Sequence, residues 1–485
     1  MVTYGITANQ HDASLAVIRD DEILFASSAE RYSRVKNEPH LNRALIDEAR
    51  RYAEPDVIVW YEKPFLTRTR KLAAGQRSSA LQREGARYLR RFGLTAPVEY
   101  VLHHKSHAAA GFFTSPFTET AVLVVDAIGE WDTVSAWRGS GDSLTKVWSQ
   151  RYPHSLGLLY SAFTQRVGLK PNEEEYILMG MAAYGEPIYR DLIWSDFIAR
   201  FDPPRFRLKE NVHRGIRWWR PELQDRFNLA ASVQAVTEEI LAGLVQWLSR
   251  ETGSRHLTLM GGVALNCVAN TKLANTGLFD GMWIMPNPGD GGSSLGAAAA
   301  HGGRHLKWAG PFLGHDIDRA FDLDGALSAL IAGEVIGVAS GRAEFGPRAL
   351  GNRSLLTDPR GPATKDRVNQ VKQREPFRPF APIVLAEHAA AHFDMPVQAS
   401  PYMQFVAGVR EPQAFPAICH IDNTTRVQTV TRGENPRMHA LLEAFHTATG
   451  CPMLLNTSLN MKGEPLVNTW SDAERFSART GVKVY

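Results

Sequence analysis

The apolar positions of this chain form two patterns, short continuous runs and a helical period, which predict alternating strands and helices. Thr120–Val125 is an almost wholly apolar run, which suits a strand buried on both faces. Leu257–Met260 is a second short run of this kind. Between them, apolar residues from Leu229 to Leu248 recur every three to four positions and predict one long amphipathic helix. Because strand and helix alternate along the chain, the sequence predicts an α/β fold.

A change in composition after residue 305 predicts a second domain. Trp308–His315 is rich in glycine and proline, and Asp316–Asp324 is acidic. A new strand-like run, Val335–Ala339, then opens a segment rich in arginine and proline. We therefore expect one domain over residues 1–320 and a smaller one over residues 321–485.

Charge is nearly balanced over the whole chain but is uneven along it. The 485 residues carry a formal net charge of +3. Eight basic residues and one acid lie between Thr67 and Arg91, and a second basic stretch surrounds Trp218 and Trp219. Basic residues with interleaved aromatics suit a nucleic-acid surface, although a solvated helix face is the alternative.

The cysteines and the apolar runs exclude several classes of protein. The three cysteines are far apart and form no CxxC pair, which argues against a disulfide scaffold and a thiolate zinc site. The first residues lack a signal pattern, and no apolar run approaches the roughly 20 residues that cross a bilayer. We expect a cytoplasmic protein without a membrane partner.

Two histidines and two aspartates are candidate metal ligands. His103 and His107 lie four residues apart in a segment that favours helix, so both rings would share one face. Asp126 ends the buried strand, where α/β proteins place ligands, and Asp290 lies in a glycine-rich turn. Such a set suits Fe(II), Mn(II) or Zn(II). Surface or core histidines are the alternative, because spacing alone does not bring the four together.

Two glycine-rich turns are candidate nucleotide-binding loops. Gly261–Gly262 follow a strand, and Gly289 begins a turn that leads into an alanine-rich helix. Glycine lets backbone amides approach phosphate oxygens, and a helix N-terminus adds positive potential. Neither turn matches a Walker A or GxGxxG motif, so each alone could be an ordinary tight turn.

A candidate general base lies near the beginning of the chain. His11 and Asp12 fall between the strand-like runs Tyr4–Thr7 and Ser14–Ile18. A histidine with a pKa near neutrality can accept a proton, and a capping or surface role is the alternative. The charged run that follows, Glu30–Lys36, is expected to be solvated.

The C-terminal segment predicts an anion pocket. Its arginines lie among glycines and prolines, and guanidinium groups on stiff backbone match phosphate oxygens. The candidates are Arg342, Arg348, Arg353, Arg374, Arg378 and Arg426, together with Lys372, Asn456, Ser458 and Lys462.

Ordered motifs give the chain a close resemblance to one family. They include HDASLAV, HHKSHAAAGFF, GGVALNCVAN, NPGDGGSSLGAA, EFGPRALGNRSLL, EPFRPFAP and LLNTSLNMKGEP. They resemble the O-carbamoyltransferases that include nodulation-factor and antibiotic-tailoring enzymes. The resemblance implies an actin/sugar-kinase-like N-terminal domain, similar to threonylcarbamoyl-transfer proteins, and a C-terminal domain similar to threonylcarbamoyl-AMP synthase.

The resemblance also implies roles for the candidate residues. Of the C-terminal candidates, the resemblance implies that six would bind carbamoyl phosphate and ATP, with Mg²⁺, and form carbamoyl-adenylate: Arg348, Lys372, Arg378, Arg426, Asn456 and Ser458. His103, His107, Asp126 and Asp290 would bind the metal, with iron preferred, while His11, beside Asp12, would be the base for the acceptor hydroxyl. Asn266 and Asn270 would lie by the nucleotide with Gly261, Gly262 and Gly289.

The sequence departs from the family pattern at three places. Ala127 stands where a glycine is usual, and Ile177 stands where a lysine is usual. The chain also ends at Tyr485, earlier than many relatives. None of these departures touches the proposed metal ligands or the arginines.

Three hypotheses for the function stay open at this point. The preferred acceptor is a small natural product or sugar. The alternative acceptor is a hydroxymethyl pyrimidine of nucleic acid, as in DNA modification. The third hypothesis is a non-catalytic nucleotide-binding regulator. The oligomeric state stays open between a monomer and a homodimer.

Overall fold

The computed structural model describes residues 1–76, 85–374, 378 and 380–485. These residues form two compact units. The first unit contains Met1–Ala29 and Asn37–Trp308, and the second contains Glu30–Lys36 and Ala309–Tyr485. Within the described ranges, every helix is too short or too polar to cross a membrane.

The first unit contains two five-stranded sheets with the same topology. Its strands are β1 (Val2–Thr7), β2 (Ser14–Arg19), β3 (Glu22–Ser28), β4 (Val57–Trp60), β5 (Val98–Tyr100), β6 (Glu119–Val125), β7 (Asp132–Ser140), β8 (Ser143–Arg151), β9 (Ile198–Asp202), β10 (Arg205–Leu208), β11 (His256–Met260) and β12 (Gly281–Trp283). The sheet orders are β3-β2-β1-β4-β5 and β8-β7-β6-β11-β12. Each sheet has three antiparallel strands and two further strands parallel to the central one. This duplication agrees with the predicted actin/sugar-kinase-like domain.

Sixteen α-helices lie in the described ranges, and α1 and α12–α16 belong to the second unit. They are α1 (Glu30–Ser33), α2 (Arg43–Arg50), α3 (Pro64–Ala73), α4 (Gly85–Leu89), α5 (His103–Thr114), α6 (Leu156–Arg166), α7 (Glu175–Ala182), α8 (Arg190–Phe197), α9 (Arg226–Thr252), α10 (Cys267–Ala274), α11 (Ser293–Gly302), α12 (Leu323–Ile331), α13 (Thr364–Lys372), α14 (Ala386–His392), α15 (Pro436–Thr449) and α16 (Trp470–Thr480). The long helix predicted from the apolar period is α9. Asp225 caps its first turn, and Gly253 ends it in the left-handed conformation.

Helices α5 and α11 lie close together, and this packing positions the candidate site. A Cβ added to Gly296 would lie 1.8 Å from the backbone oxygen of Ser106. Only glycine therefore allows the two helices to approach at this point. The N-terminal ends of both helices carry candidate ligands, so the close packing brings those ligands towards each other.

The second unit is built on a mixed five-stranded sheet. Its strands are β13 (Phe312–Ile317), β14 (Ile336–Ala339), β15 (Gly341–Glu344), β16 (Arg353–Thr357), β17 (Ala381–Leu385), β18 (Phe393–Asp394), β19 (Val406–Val409), β20 (Thr424–Arg426), β21 (Gln428–Val430) and β22 (Met453–Ser458). The sheet order is β14-β16-β22-β17-β21. Helices α12 and α15 pack on one another, and Leu330, Leu441 and Phe445 belong to the core beneath them.

The two units meet in the sequence between Trp308 and Ala309, and the sequence analysis predicts a division at residue 320. Strand β13 precedes that residue but pairs with β15 of the second unit. The second unit also includes Glu30–Lys36, which no pattern in the sequence marks as part of it. Which activity belongs to which domain stays a prediction.

The charged run Glu30–Lys36 differs from the solvated face that the sequence suggests. Arg31 is only 2% exposed, and its guanidinium donates to the backbone oxygens of Val467, Glu344 and Gly346. Arg34 donates to the backbone oxygens of Leu466 and Pro465. The carbonyls of Gly346, Pro465, Leu466 and Val467 lie in loops and that of Glu344 lies at the end of β15, so buried guanidinium groups satisfy acceptors that no strand ladder uses.

Arg31→Leu is expected to lower the free energy of unfolding by on the order of 3 kcal/mol, because buried carbonyls lose their donors. The measurement is chemical denaturation of the full chain. Arg43→Leu, at an exposed arginine, is the matched control. Equal stability of the two variants would contradict a structural role for Arg31.

Candidate metal centre and anion pocket

The first candidate ligands lie at the beginning of helix α5. Its first backbone N–H, on His103, donates to both carboxylate oxygens of Glu130, at 3.0 and 3.1 Å. A carboxylate at a helix N-terminus satisfies an otherwise unpaired donor and complements the helix dipole. His103 and His107 lie one turn apart, and both are at most 3% exposed. The helix therefore presents two buried imidazoles on one face, as their spacing predicts.

Asp126 and Asp290 complete a compact group with these two rings. Asp126 directly follows β6, and Asp290 begins the turn before α11. His103 Nε2 lies 3.1 Å from Asp126 Oδ2 and 3.3 Å from Asp290 Oδ1. His107 Nε2 lies 3.5 and 3.3 Å from the same two oxygens, and 3.0 Å from His103 Nε2.

These distances fit a single ion. All four ligand atoms lie within 4.8 Å of one another. Ligands at about 2.1 Å from one ion would be about 3.4 Å apart in a tetrahedron. The five nitrogen–nitrogen and nitrogen–oxygen distances are close to that value. Two imidazoles and two carboxylates suit a first-row divalent cation, and the geometry does not choose between iron, manganese and zinc.

Neighbouring groups orient two of the ligands. The backbone N–H of Gly262 donates to Asp126 Oδ1 at 3.1 Å. Ser293 Oγ lies 3.2 Å from His107 Nδ1, so the hydroxyl fixes the second ring nitrogen while Nε2 faces the centre. Sequence reasoning did not identify Ser293. Its position three residues after Asp290 in the same turn was the available signal.

Charge in this buried centre shifts the pKa values of its members. Burial by itself lowers the pKa of His103, but the nearby carboxylates of Asp290 and Asp126 outweigh it and raise that pKa well above the ordinary value. Burial lowers the pKa of His107, but hydrogen bonds from its imidazole to the carboxylates of Asp126 and Asp290 outweigh burial and raise that pKa. Burial raises the pKa of Asp126, but the two imidazoles lower it well below its ordinary value. The imidazoles and the carboxylates therefore stabilise one another's charged forms.

The His11 turn lies beside this centre. Ser14 Oγ donates to the backbone oxygen of Gly291 at 2.6 Å, which joins the turn to the Asp290 segment. His11 Nδ1 lies 2.8 Å from Asp12 Oδ2. Burial lowers the pKa of His11, but the Asp12 carboxylate and the charge of Asp290 raise it to about 10. Asp12 contributes most to this raised pKa and Asp290 contributes less, so His11 can act as a neutral base only when the effect of these carboxylates on its pKa is offset.

The two glycine-rich turns meet one another. Gly261 has a φ of +89°, and a Cβ there would lie 2.2 Å from the backbone oxygen of Val125, so a side chain is excluded. Its N–H donates to the backbone oxygen of Pro288, which immediately precedes Gly289. A Cβ on Gly289 would have Gly262 Cα as its neighbour at 4.0 Å. The structure brings the turns together, and their nucleotide-binding role stays a prediction.

The candidate nucleotide-binding asparagines take part in local hydrogen bonds. Asn266 caps α10 through the N–H of Ala269 and donates to Gln234 Oε1. Asn270 is 1% exposed, and its amide donates to the backbone oxygen of Ala264. Both side chains therefore shape the loop after Gly262.

The second unit carries the predicted anion pocket. Lys372 is 4% exposed, and its amino group donates to Ser458 Oγ at 3.0 Å, to the backbone oxygen of Ser458, and to the Oδ1 of Asn460 at 2.8 Å. Burial lowers the pKa of Lys372 well below its ordinary value, and the charges of Arg374 and Arg378 lower it further. The groups that shift this pKa are all basic, so positive charge accumulates here.

The remaining members of the predicted set lie in the same unit. Arg348 is half-buried in the loop between β15 and β16, and Arg426 is half-buried at the end of β20. Asn456 is 1% exposed and lies on β22, two residues before Ser458. Asn460 is absent from the predicted set, because it lies in the bend after β22, where no strand period marks it.

The basic stretches are not uniformly exposed. Arg70 and Lys71 are at most 5% exposed, and Arg70 Nε donates to the backbone oxygen of Glu130. Trp219 is 3% exposed and donates to Asp196, which also pairs with Arg220. Arg77 and Arg83 lie outside the described residues. These observations favour a structural role for several of the residues that suggested a nucleic-acid-binding surface.

Comparison with known proteins gives matches along most of the chain. Residues 78–299 match the family described as "Carbamoyltransferase N-terminus", and residues 327–485 match "Carbamoyltransferase C-terminus". An uncharacterized protein of Synechocystis, sll1178, is 38% identical over 98% of this chain and 94% of its own length.

Two relatives have descriptive names. The nodulation protein NolNO of Sinorhizobium fredii is 34% identical over 96% of this chain and 76% of its own length. The 3'-hydroxymethylcephem-O-carbamoyltransferase of Amycolatopsis lactamdurans is 30% identical over 97% of this chain and 95% of its own length.

Zn²⁺ affinity is expected to rise with pH between pH 6 and 8. The raised pKa values of His103 and His107 mean that an incoming cation must displace protons. Isothermal titration calorimetry in two buffers of different ionisation enthalpy would measure the proton release. Affinity that is independent of pH, without proton release, would contradict binding at these imidazoles.

Ser293→Ala is expected to weaken Zn²⁺ binding about 10–100-fold, the range typical of groups that orient a ligand. The hydroxyl that fixes the His107 ring would be lost. His40→Ala, at an exposed histidine, is the control and should bind as the wild type does. Unchanged affinity in Ser293→Ala would show that the hydroxyl does not orient His107.

Proposed function

This chain belongs to the carbamoyltransferase family, and we propose that it is an ATP-dependent O-carbamoyltransferase that acts on a small hydroxylated natural product or sugar. The observation that carries this proposal is the buried ammonium group of Lys372, which donates to Ser458 and Asn460 in the unit that also carries Arg348 and Arg426. Such a pocket suits a phosphorylated ligand because guanidinium and ammonium groups pair with phosphate oxygens. The alternative, a non-catalytic regulator, gives no reason for this pocket.

The proposed first reaction takes place in the second unit. Carbamoyl phosphate, water and ATP give carbamoyl-adenylate, phosphate and pyrophosphate. The carbamate released from carbamoyl phosphate forms a bond to the α-phosphorus of ATP, and the bond to the departing pyrophosphate breaks. Arg348, Lys372, Arg378 and Arg426 would bind the negative charge of the substrates, with Mg²⁺ accompanying ATP.

The proposed second reaction belongs to the first unit. The acceptor oxygen bonds to the carbamoyl carbon, the bond from that carbon to the adenylate oxygen breaks, and AMP leaves. His11 would take the hydroxyl proton, oriented by its hydrogen bond to Asp12. A divalent cation held by the His103–Asp290 group would polarise the carbamoyl oxygen as a Lewis acid. Iron is the proposed cation on family resemblance.

The preference for a small acceptor rests on the relatives and on the basic stretches. One relative is named for carbamoyl transfer to a hydroxymethylcephem. Arg70, Lys71 and Trp219 are buried, which removes them from a nucleic-acid surface. A hydroxymethyl pyrimidine is therefore the less favoured acceptor.

His107→Ala and Lys372→Met are expected to separate the two reactions. His107→Ala should retain pyrophosphate release that depends on carbamoyl phosphate, and should lose acceptor carbamoylation. Lys372→Met should lose both, because no carbamoyl-adenylate would form. The two activities are measured by pyrophosphate release and by mass spectrometry of the acceptor. Equal loss of both activities in His107→Ala would contradict the assignment of the reactions to two sites.

Carbamoylation of a small hydroxylated metabolite is expected in a mass-spectrometric screen that also contains hydroxymethylated DNA. The readout is the mass of one added carbamoyl group, with ATP and carbamoyl phosphate supplied. His11→Ala should lower the rate of transfer about 10²–10⁴-fold, the usual contribution of a general base. Product on the DNA alone would overturn the preferred acceptor.

A further inference from the structure

Two buried amides form a pair within the second unit. Asn456 is 1% exposed and Gln428 is 2% exposed. Asn456 Nδ2 donates to the backbone oxygen of Ala349 at 3.1 Å and to Gln428 Oε1 at 2.7 Å. Gln428 Nε2 donates to the backbone oxygen of Leu350 at 2.9 Å. The pair therefore joins two strands to the loop that carries Arg348.

The backbone dictates which way each amide points. A carbonyl oxygen can only accept a hydrogen bond, so the NH₂ of Asn456 must face Ala349 and the NH₂ of Gln428 must face Leu350. Gln428 Oε1 then accepts from Asn456. Rotating either amide by half a turn would place two oxygens against each other. The carbonyl of Ala349 thus sets the orientation of Asn456, and Gln428 Oε1 holds the side chain in that orientation through the shorter hydrogen bond.

This orientation leaves one acceptor without a partner. Asn456 Oδ1 is buried and has no hydrogen-bond partner among the residues that the structure describes. A buried polar atom without a partner is costly, and one in a binding region indicates a ligand group. The missing group must be a donor, because an amide oxygen only accepts.

The surroundings of Asn456 define what else the ligand carries. Ala349 follows Arg348, and Gln428 lies two residues after Arg426, whose buried Nε–H is likewise unpartnered within the described ranges. Ser458, which binds Lys372, lies on the same face of β22 as Asn456. The ligand therefore needs anionic oxygens for the cations and an N–H donor for Asn456.

We propose that Gln428 is a positioning residue that holds Asn456 Oδ1 as the acceptor for the amino group of carbamoyl phosphate. This inference rests on the proposed function and deepens it. Acetyl phosphate has the same phosphate but a methyl group in place of the amino group, so it lacks the donor. The amide pair thus selects a carbamoyl group against an acetyl group, while the cations bind the phosphate of either.

A separate contact keeps the loop in place when Gln428 is changed. One carboxylate oxygen of Glu344 accepts the backbone N–H groups of Leu350, Asn352 and Arg353, at 2.8, 3.0 and 3.1 Å. These bonds do not involve Gln428. Methionine has a length similar to that of glutamine but lacks both the oxygen that accepts from Asn456 and the N–H that donates to Leu350. Because the Glu344 bonds remain, Gln428→Met should leave the loop folded.

The test compares Gln428→Met with the wild type in the full chain, by pyrophosphate release from ATP. The KM for carbamoyl phosphate should rise about tenfold, as expected for one hydrogen bond. The KM for ATP and the inhibition constants for inorganic phosphate and acetyl phosphate should stay unchanged, because these ligands do not use Asn456 Oδ1. Gln413→Met, at an exposed glutamine, is the matched control.

A second measurement needs no variant. Wild-type protein should bind acetyl phosphate, measured as a competitive inhibitor, about tenfold or more weakly than carbamoyl phosphate. Equal binding of the two, or an unchanged KM in Gln428→Met, overturns the inference. A rise in both KM values and in both inhibition constants of Gln428→Met would show that Gln428 has only a structural role, and this result also overturns the inference. Absence of pyrophosphate release from the wild type would instead refute the proposed function.

Discussion

The first unit depends on the contact between two buried imidazoles and two carboxylates, of which Asp126 is buried and Asp290 is partly buried. Burial of any one of these charges alone would be unfavourable. Together they are compensated, since each imidazole nitrogen faces two carboxylate oxygens within 3.1–3.5 Å. The close approach of α5 and α11 at Gly296, and the carboxylate of Glu130 at the beginning of α5, hold the four groups at that separation.

The second unit solves a different problem, because its candidate site accumulates positive charge. Lys372, Arg374 and Arg378 lie near enough to affect one another, and burial adds to the effect. The backbone around them is held by buried polar side chains: Arg31 on carbonyl oxygens, Glu344 on N–H groups, and the Gln428–Asn456 pair on two more carbonyls. A rigid loop keeps the arginine it carries in one place, which favours recognition of a phosphorylated ligand.

The two sites therefore differ in charge in the way that the proposed reactions differ. Formation of an adenylate handles multiply charged phosphates, for which cations are needed. Transfer to a hydroxyl needs a base and an electrophile for one carbonyl oxygen, for which histidines, carboxylates and a bound cation are suited. Under the proposed function, two separate sites would keep the multiply charged phosphates of the first reaction away from the carboxylates of the metal centre.

The sequence by itself determined those features that depend on local spacing. The α/β class, helix α9 and the shared face of His103 and His107 followed from short continuous apolar runs and from the helical period of 3.6 residues, which the backbone imposes wherever the element lies. The end of a buried strand and a glycine-rich turn made Asp126 and Asp290 candidate ligands, and the family resemblance implied the same role. Only the tertiary structure decided that the four ligand atoms converge and that Ser293 orients His107. It also decided that Arg31 is buried against carbonyl oxygens of residues that are distant in sequence. It also decided the orientation of Asn456, because that depends on Ala349 and Gln428, which are brought to it by strand pairing and loop packing. Contacts between residues distant in sequence leave no period in the chain, and so they emerge only when the fold brings the residues together.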